Sequence, residues 1–274
     1  MTIAFALLTA VAWGTTELLM LRAAKGLPPV TLGLWLMVLG VGLIAPFALT
    51  SGPAPGVGDI GVAVMPALIG LAGSYLYWVA LRRGKLSLVS PTVATSGGIG
   101  ALVAVLTLGE RFGPVGVAGI VLAVTGVVLA SFTRVDEPTG VVWAVGAALL
   151  LGLYTVTLAI STERIGAMWS VFSYRLTGLV VLAAVAVTTR APLRLAGEQR
   201  RQVGGSAVLE TIGFMAFTSA LASGPVAVVA VVTAQFSTVA VALAALVLHE
   251  RLRPHQWAGV AMMIGATSVL GVFH

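Results

Sequence analysis

The chain has 274 residues, 59% of them apolar and only 9% charged, with a mean hydropathy of +1.08. A soluble domain needs about 25% charged residues to cover its surface, so a water-soluble fold is excluded. The net charge of +6 comes from basic residues placed singly or in short loop clusters, a pattern that reports membrane orientation and contact with anionic lipid and excludes nucleic acid as a partner.

Taken in chain order, stretches of about 20 apolar residues, the length that crosses about 30 Å of hydrocarbon, fall at about 2–21, 30–49, 60–81, 86–108, 115–132, 140–161, 167–188, 204–222, 226–247 and 256–273. The first begins at Ile3 with no basic segment before it and reads as a spanning helix, not a cleaved leader. The only sizeable linker, Thr189 to Gly204, carries Arg190, Arg194, Glu198, Arg200 and Arg201. The expected fold is an all-α membrane protein of ten transmembrane helices. Cysteine is absent, which removes disulfides and thiolate metal sites. No metal and no cofactor are expected.

Shifted by 140 residues, the sequence falls on itself. Gly84, Glu110, Arg111, Pro114 and Gly119 land on Gly224, Glu250, Arg251, Pro254 and Gly259, and Ala80-Leu81 on Ala220-Leu221. The first copy ends near Arg134-Val135-Asp136-Glu137-Pro138, so each copy holds five helices. An odd number of spans turns the second half over relative to the first, the architecture of many transporters. The expected boundaries are 1–135 and 136–274. Basic residues crowd the odd-numbered loops (Arg22, Lys25, Arg82, Arg83, Lys85, Arg134, Arg190, Arg194, Arg200, Arg201, Arg251, Arg253), against Arg111 and Arg164 in the even ones. The positive-inside rule then places both termini outside.

Charged groups inside a bilayer cost several kcal/mol each and persist when paired or hydrated. Glu17 in the first span, Arg175 in the seventh and Glu210 in the eighth are such groups. At about 1.5 Å per residue, Glu17 and Glu210 lie at similar depths, on the order of 10 Å from the odd-loop face, and Arg175 roughly 8 Å deeper. Two carboxylates and one arginine on a shared cavity suit a cation or zwitterion, with one carboxylate open to proton coupling. Plainer readings stand beside this one: Glu210 reaching headgroups, Arg175 in a structural ion pair, Glu17 snorkelling. Trp35, Trp78, Trp143, Trp169 and Trp257 lie near helix ends, where an interfacial belt accounts for them. Trp13 lies deeper and four residues before Glu17, on the same helical face, where an indole suits an ammonium group; helix packing is the alternative. Tyr77 and Tyr154 are further aromatic candidates. The fourth span holds Pro91, Thr95, Ser96 and several glycines, and Gln235 of the ninth stands opposite Thr95. These weakened backbones read as cavity walls, or as close helix packing. Gly119, Ala123 and Gly126 form a small-residue packing stripe.

The duplicated chain resembles the drug/metabolite transporter superfamily, in particular its EamA-type branch. The resemblance rests on Ala12-Trp13-Gly14 and on the paired hairpins Leu108-Gly109-Glu110-Arg111-Phe112-Gly113-Pro114 and Leu248-His249-Glu250-Arg251-Leu252-Arg253-Pro254, and it covers essentially the whole chain. Half of the chain also resembles the small multidrug resistance proteins, where Glu17 would match the carboxylate of their first helix. The resemblance implies two EamA-like repeats and secondary transport, often export, of small metabolites through a central cavity. It also implies cytoplasmic termini, opposite to the loop-charge count. The two Glu-Arg hairpins read as loop scaffold.

The expected protein is a multi-pass transporter of a bacterial-type plasma membrane, a monomer or homodimer, moving an amino acid or similar molecule by alternating access. A quaternary-amine or drug-like cation transporter is the alternative substrate reading. A channel or scaffold would be the reading from another class. An enzyme is not expected, since no His-Glu-x-x-His or Gly-x-Ser-x-Gly motif occurs.

Overall fold

The structure, a computed structural model, describes residues 1–131, 140–247 and 254–272. Those residues form helices and connecting turns, with no strand among them. The first half contains α1 (Thr2–Gly26), α2 (Pro29–Thr50), α3 (Ile60–Arg83), α4 (Leu86–Ala94), α5 (Ser96–Leu108) and α6 (Pro114–Ser131). The second contains α7 (Val141–Ile165), α8 (Ala167–Thr189), α9 (Gly197–Leu221), α10 (Val226–Thr233), α11 (Phe236–Val247) and α12 (Pro254–Val272). Prolines open α2, α6 and α12, where the missing N–H costs nothing. Gly109, at φ +70°, ends α5 in the left-handed region that favours glycine.

Eight helical segments among the described residues are long and apolar enough to cross a membrane. One runs through α4 and α5 (Leu88–Leu108) and another through α10 and into α11 (Val226–Leu243). The 18-residue α6 and the 19-residue α12 occupy the two other stretches expected from sequence. Packing partners exchange under the 140-residue shift. Helix α1 packs on α9 as α7 does on α3, and α5 packs on α7 as α11 does on α1, while α2 packs on α8 and α6 on α12.

The start of α9 departs furthest from the expected boundaries. The ninth helix of the chain, α9, begins at Gly197, so the second half of the charged linker forms its first turns. Hydropathy misplaces this start because Glu198, Arg200 and Arg201 are helical yet exposed. The backbone amide of Ala196 donates to Gln199 Oε1 at 2.8 Å, which caps the helix. Glu210 therefore lies midway along α9 instead of near its end.

The fourth and ninth spans are each broken in two. The breaks fall at Thr95 and at Ala234-Gln235, positions matched by the 140-residue shift. Pro91 is not their cause, because it sits inside α4 and α10 contains no proline. The ladder instead tightens to three-residue steps: the Thr95 amide donates to Thr92 O at 3.3 Å and the Gln235 amide to Val232 O at 3.2 Å.

Trp78 also departs from the interfacial belt. It is buried, and the ring lies where Gly33 of α2 leaves room, so it is a core residue between α2 and α3. Trp35 donates to Leu193 O, Trp169 donates to Gly52 O, Trp143 lies under Arg83, and Trp257 is exposed, all near helix ends. Gly119 and Gly126 are buried on α6, the helix that packs on α12. The Leu248–Arg253 part of the second hairpin lies outside the described residues.

Candidate functional site

Helices from both halves wall a cavity of about 770 Å³, counted to its open mouth. Trp13, Thr16, Glu17 and Met20 of α1 line it, with Ser74 and Tyr77 of α3. The broken spans contribute Val93, Ser96, Gly97, Ala230, Thr233, Ala234 and Phe236. Leu151, Tyr154 and Thr155 of α7 and Glu210, Phe214 and Phe217 of α9 complete the wall.

Glu17 is 3% exposed. Its carboxylate accepts hydrogen bonds from the Tyr77 hydroxyl of α3 and the Ser90 hydroxyl of α4. No ion pair involves it among the described residues. One turn earlier, the Trp13 ring packs against Phe214 and Phe217 at 5.1 Å each and Phe236 at 6.3 Å between centroids. Each such aromatic pair adds about 0.5–1.5 kcal/mol beyond area burial, so the indole is firmly placed. Gly14 and Gly213 allow the close approach. A Cβ on Gly14 would lie 2.5 Å from Phe236 O, and one on Gly213 would lie 2.4 Å from the Trp13 Nε1.

Arg175 and Glu210 meet directly. Arg175 Nη1 donates to Glu210 Oε2 at 2.9 Å, with side-chain exposures of 0% and 12%. The guanidinium carbon lies 5.0 Å from the Phe214 ring centre and 5.7 Å from that of Tyr174. The expected depth gap closes because Glu210 sits at mid-helix. Arg175 is behind the cavity wall, and only Glu210 of the pair reaches the lining. Tyr154 packs on the Tyr174 ring at 5.6 Å, and its ring occupies the room left by Gly70. The Tyr154 hydroxyl and Trp13 Nε1 have no hydrogen-bond partner among the described residues.

Of the residues singled out from sequence, Trp13, Glu17, Tyr77, Ser96, Tyr154 and Glu210 line the cavity, whereas Thr95, Arg175 and Gln235 do not. The Thr95 hydroxyl turns back to Thr92 O at 2.7 Å, and Gln235 is buried at its break. Sequence reasoning missed Ser90 as a partner of Glu17 and missed the Phe214, Phe217 and Phe236 wall. Glu210, Phe214 and Phe217 follow the i, i+4, i+7 spacing of one helical face, a signal that was available. No cluster of metal-ligating side chains occurs among the described residues.

Away from the cavity, Glu110 acts on the backbone. Its carboxylate accepts from the amides of Val226 at 2.6 Å and Ala227 at 3.0 Å, capping α10 from the first-half hairpin.

The model of the EamA-like transporter family matches residues 1–132 and again 138–272. A solved structure described as "Crystal structure of protein" superposes with a TM-score of 0.80 at 17% identity, over 99% of this chain and 96% of its own, which shows a shared fold. This is a multi-pass helical membrane protein, and it belongs to the EamA-like transporter family of the drug/metabolite transporter superfamily.

Proposed function

We propose that the protein is a secondary transporter of the cell membrane, moving a small zwitterionic or cationic metabolite of the amino-acid type. It has ten spans in two inverted five-helix halves, 1–135 and 136–274, and works as a monomer or homodimer by alternating access around the shared cavity. The carrying observation is Glu17: a buried carboxylate with hydroxyl partners, no ion pair among the described residues, and an aromatic wall one turn away. A substrate ammonium gains the carboxylate and cation–π attraction worth about 0.5–2 kcal/mol. A proton and an ammonium compete for the same oxygens, and that exclusion couples their movement when the carrier reorients only with one of them bound. The unpartnered Tyr154 hydroxyl offers a donor to a substrate carboxylate.

A second reading, a quaternary-amine or drug-like cation as cargo, draws on the Trp13, Phe214, Phe217 and Phe236 cluster. Cation–π attraction needs no N–H donor on the ligand. A thermal-shift screen of the purified chain against amino acids, quaternary amines and larger lipophilic cations separates the two, because a ligand that binds the folded state raises its stability. The first reading expects amino acids to stabilise the protein and Glu17→Gln to remove the effect. If no class stabilises it, or if Glu17→Gln leaves binding and pH dependence of flux unchanged, the cavity is not the transport site. Single-cysteine labelling in the 190–196 loop of this cysteine-free chain sets the orientation.

A further inference from the structure

Among the described residues two carboxylates line the cavity, Glu17 and Glu210, and a side-chain cation pairs with Glu210. Glu210 accepts from Arg175 at 2.9 Å, whereas Glu17 accepts from the neutral hydroxyls of Tyr77 and Ser90 and has no ion pair among the described residues. Arg175 is fully buried beneath the Phe214 ring and has space because α2 carries glycine at position 40. A Cβ on Gly40 would lie 2.7 Å from both Cδ and Nε of Arg175. The guanidinium is thus seated from one side by a missing side chain and from another by the Phe214 face, and its charge meets the cavity lining at Glu210.

We propose that Arg175 is a specificity-determining residue that sets the charge the ligand must carry. By neutralising Glu210 it leaves Glu17 as the uncompensated charge of the wall among the described residues, so the site selects one positive centre over two. This rests on the reading of the cavity as a cation site. A second ammonium entering the cavity finds its carboxylate already taken and a like charge directly behind it. It must then shed water with no counter-ion in return. Without Arg175, the same ammonium replaces the guanidinium on Glu210.

The test uses the purified full chain and two amines of equal length, pentylamine and 1,5-diaminopentane, titrated by thermal shift. The wild type is expected to bind the monoamine more tightly by about tenfold, the scale of one unfavourable charge contact. Arg175→Gln inverts the preference, Arg175→Lys keeps it, and the double variant Arg175→Gln with Glu210→Gln restores it. The double variant removes both partners of the pair and adds no unpaired buried charge, and if Arg175→Gln fails to fold, Glu210→Gln decides the test. Glu210→Gln alone adds a further reading: Arg175 then offsets Glu17, and monoamine binding weakens by about tenfold. If the monoamine binds and Glu17→Gln abolishes it, yet Arg175→Gln leaves the preference unchanged or Glu210→Gln leaves the monoamine affinity unchanged, this proposal is overturned and the cation site stands. Wild type that binds neither amine, or binding that survives Glu17→Gln, overturns the cation site and this proposal with it.

Discussion

Moved by 140 residues, Glu17, Tyr77 and Ser90 of the first half fall on Thr157, Phe217 and Ala230 of the second. The polar trio on one side is thus matched by a ring, a methyl and a hydroxyl that turns back to its own helix, with Thr157 donating to Leu153 O and Tyr154 O at 3.1 Å each. In the other direction, Tyr154, Arg175 and Glu210 fall on Gly14, Trp35 and Gly70. Gly14 and Gly70 are close-packing positions, against α11 and against the Tyr154 ring. Each half therefore places these polar groups where the other has a glycine, a ring, a methyl or a self-bonded hydroxyl. The first half offers a carboxylate with no ion pair among the described residues, and the second offers one that is paired with Arg175. A shared backbone carries two different sets of side chains, and under the proposed function the difference between them makes one site in place of two equal ones.

The strongest way to break this comparison is Glu17→Gln. Removing one partner of a buried charge contact costs about 2–5 kcal/mol, so substrate flux in proteoliposomes should fall by about a hundredfold while the thermal midpoint in detergent holds or rises. Flux within a few-fold of wild type would return Glu17 to the same structural rank as Thr157. Next in size are the two glycines. Gly14→Ala puts a methyl against the Phe236 carbonyl, a backbone atom that cannot swing aside. A cost of about 1–3 kcal/mol and a midpoint lower by several degrees are expected. Gly40→Ala meets the far end of the Arg175 side chain and should cost less. Equal losses at the two positions would mean that the α1–α11 crossing is not the rigid one. A smaller and sharper test pairs Tyr77→Phe with Phe217→Tyr. The first deletes a hydroxyl bonded to a carboxylate and should weaken binding by about tenfold; the second sits at the matched position and should leave affinity near wild type.

Much of this arrangement is readable without coordinates, for identifiable reasons. Helix positions follow from runs of apolar residues, because hydrocarbon tolerates little else. The repeat is visible because glycines, prolines and the Glu-Arg hairpins recur in an ungapped register. Glu17, Trp13 and Glu210 stand out because charge and indole are rare at depth. What escapes are features decided by tertiary contact. The start of α9 is hidden because charged residues outside the membrane form helix as readily as loop. The breaks at Thr95 and Ala234-Gln235 carry no shared breaker residue, so nothing in composition marks them. Trp78 looks interfacial from its place near a helix end, and only Gly33 across the α2–α3 contact puts it in the core. Arg175 is identified as a membrane-embedded charge, but its place behind the wall depends on Gly40, 135 residues earlier.

Glu110 gives the finest test of where scaffold ends and site begins. It lies in the first half, yet both carboxylate oxygens serve the second, taking the two opening amides of α10. Helix α10 carries Ala230 and Thr233 into the cavity wall. Its first amides have no partner within their own helix, so an outside acceptor is needed, and a carboxylate also complements the positive end of the helix dipole. Glu110→Gln keeps one acceptor oxygen and loses the charge, so stability should drop by about 1 kcal/mol, read as a small fall in thermal midpoint. Glu110→Ala strips both amides and should fall further. Ligand affinity should stay at the wild-type value in both, because the cap fixes the outer end of α10 and touches no lining residue. If Glu110→Gln weakens binding as much as Tyr77→Phe does, the hairpin belongs to the binding site, and the division between a repeated scaffold and an unrepeated site must be redrawn at α10.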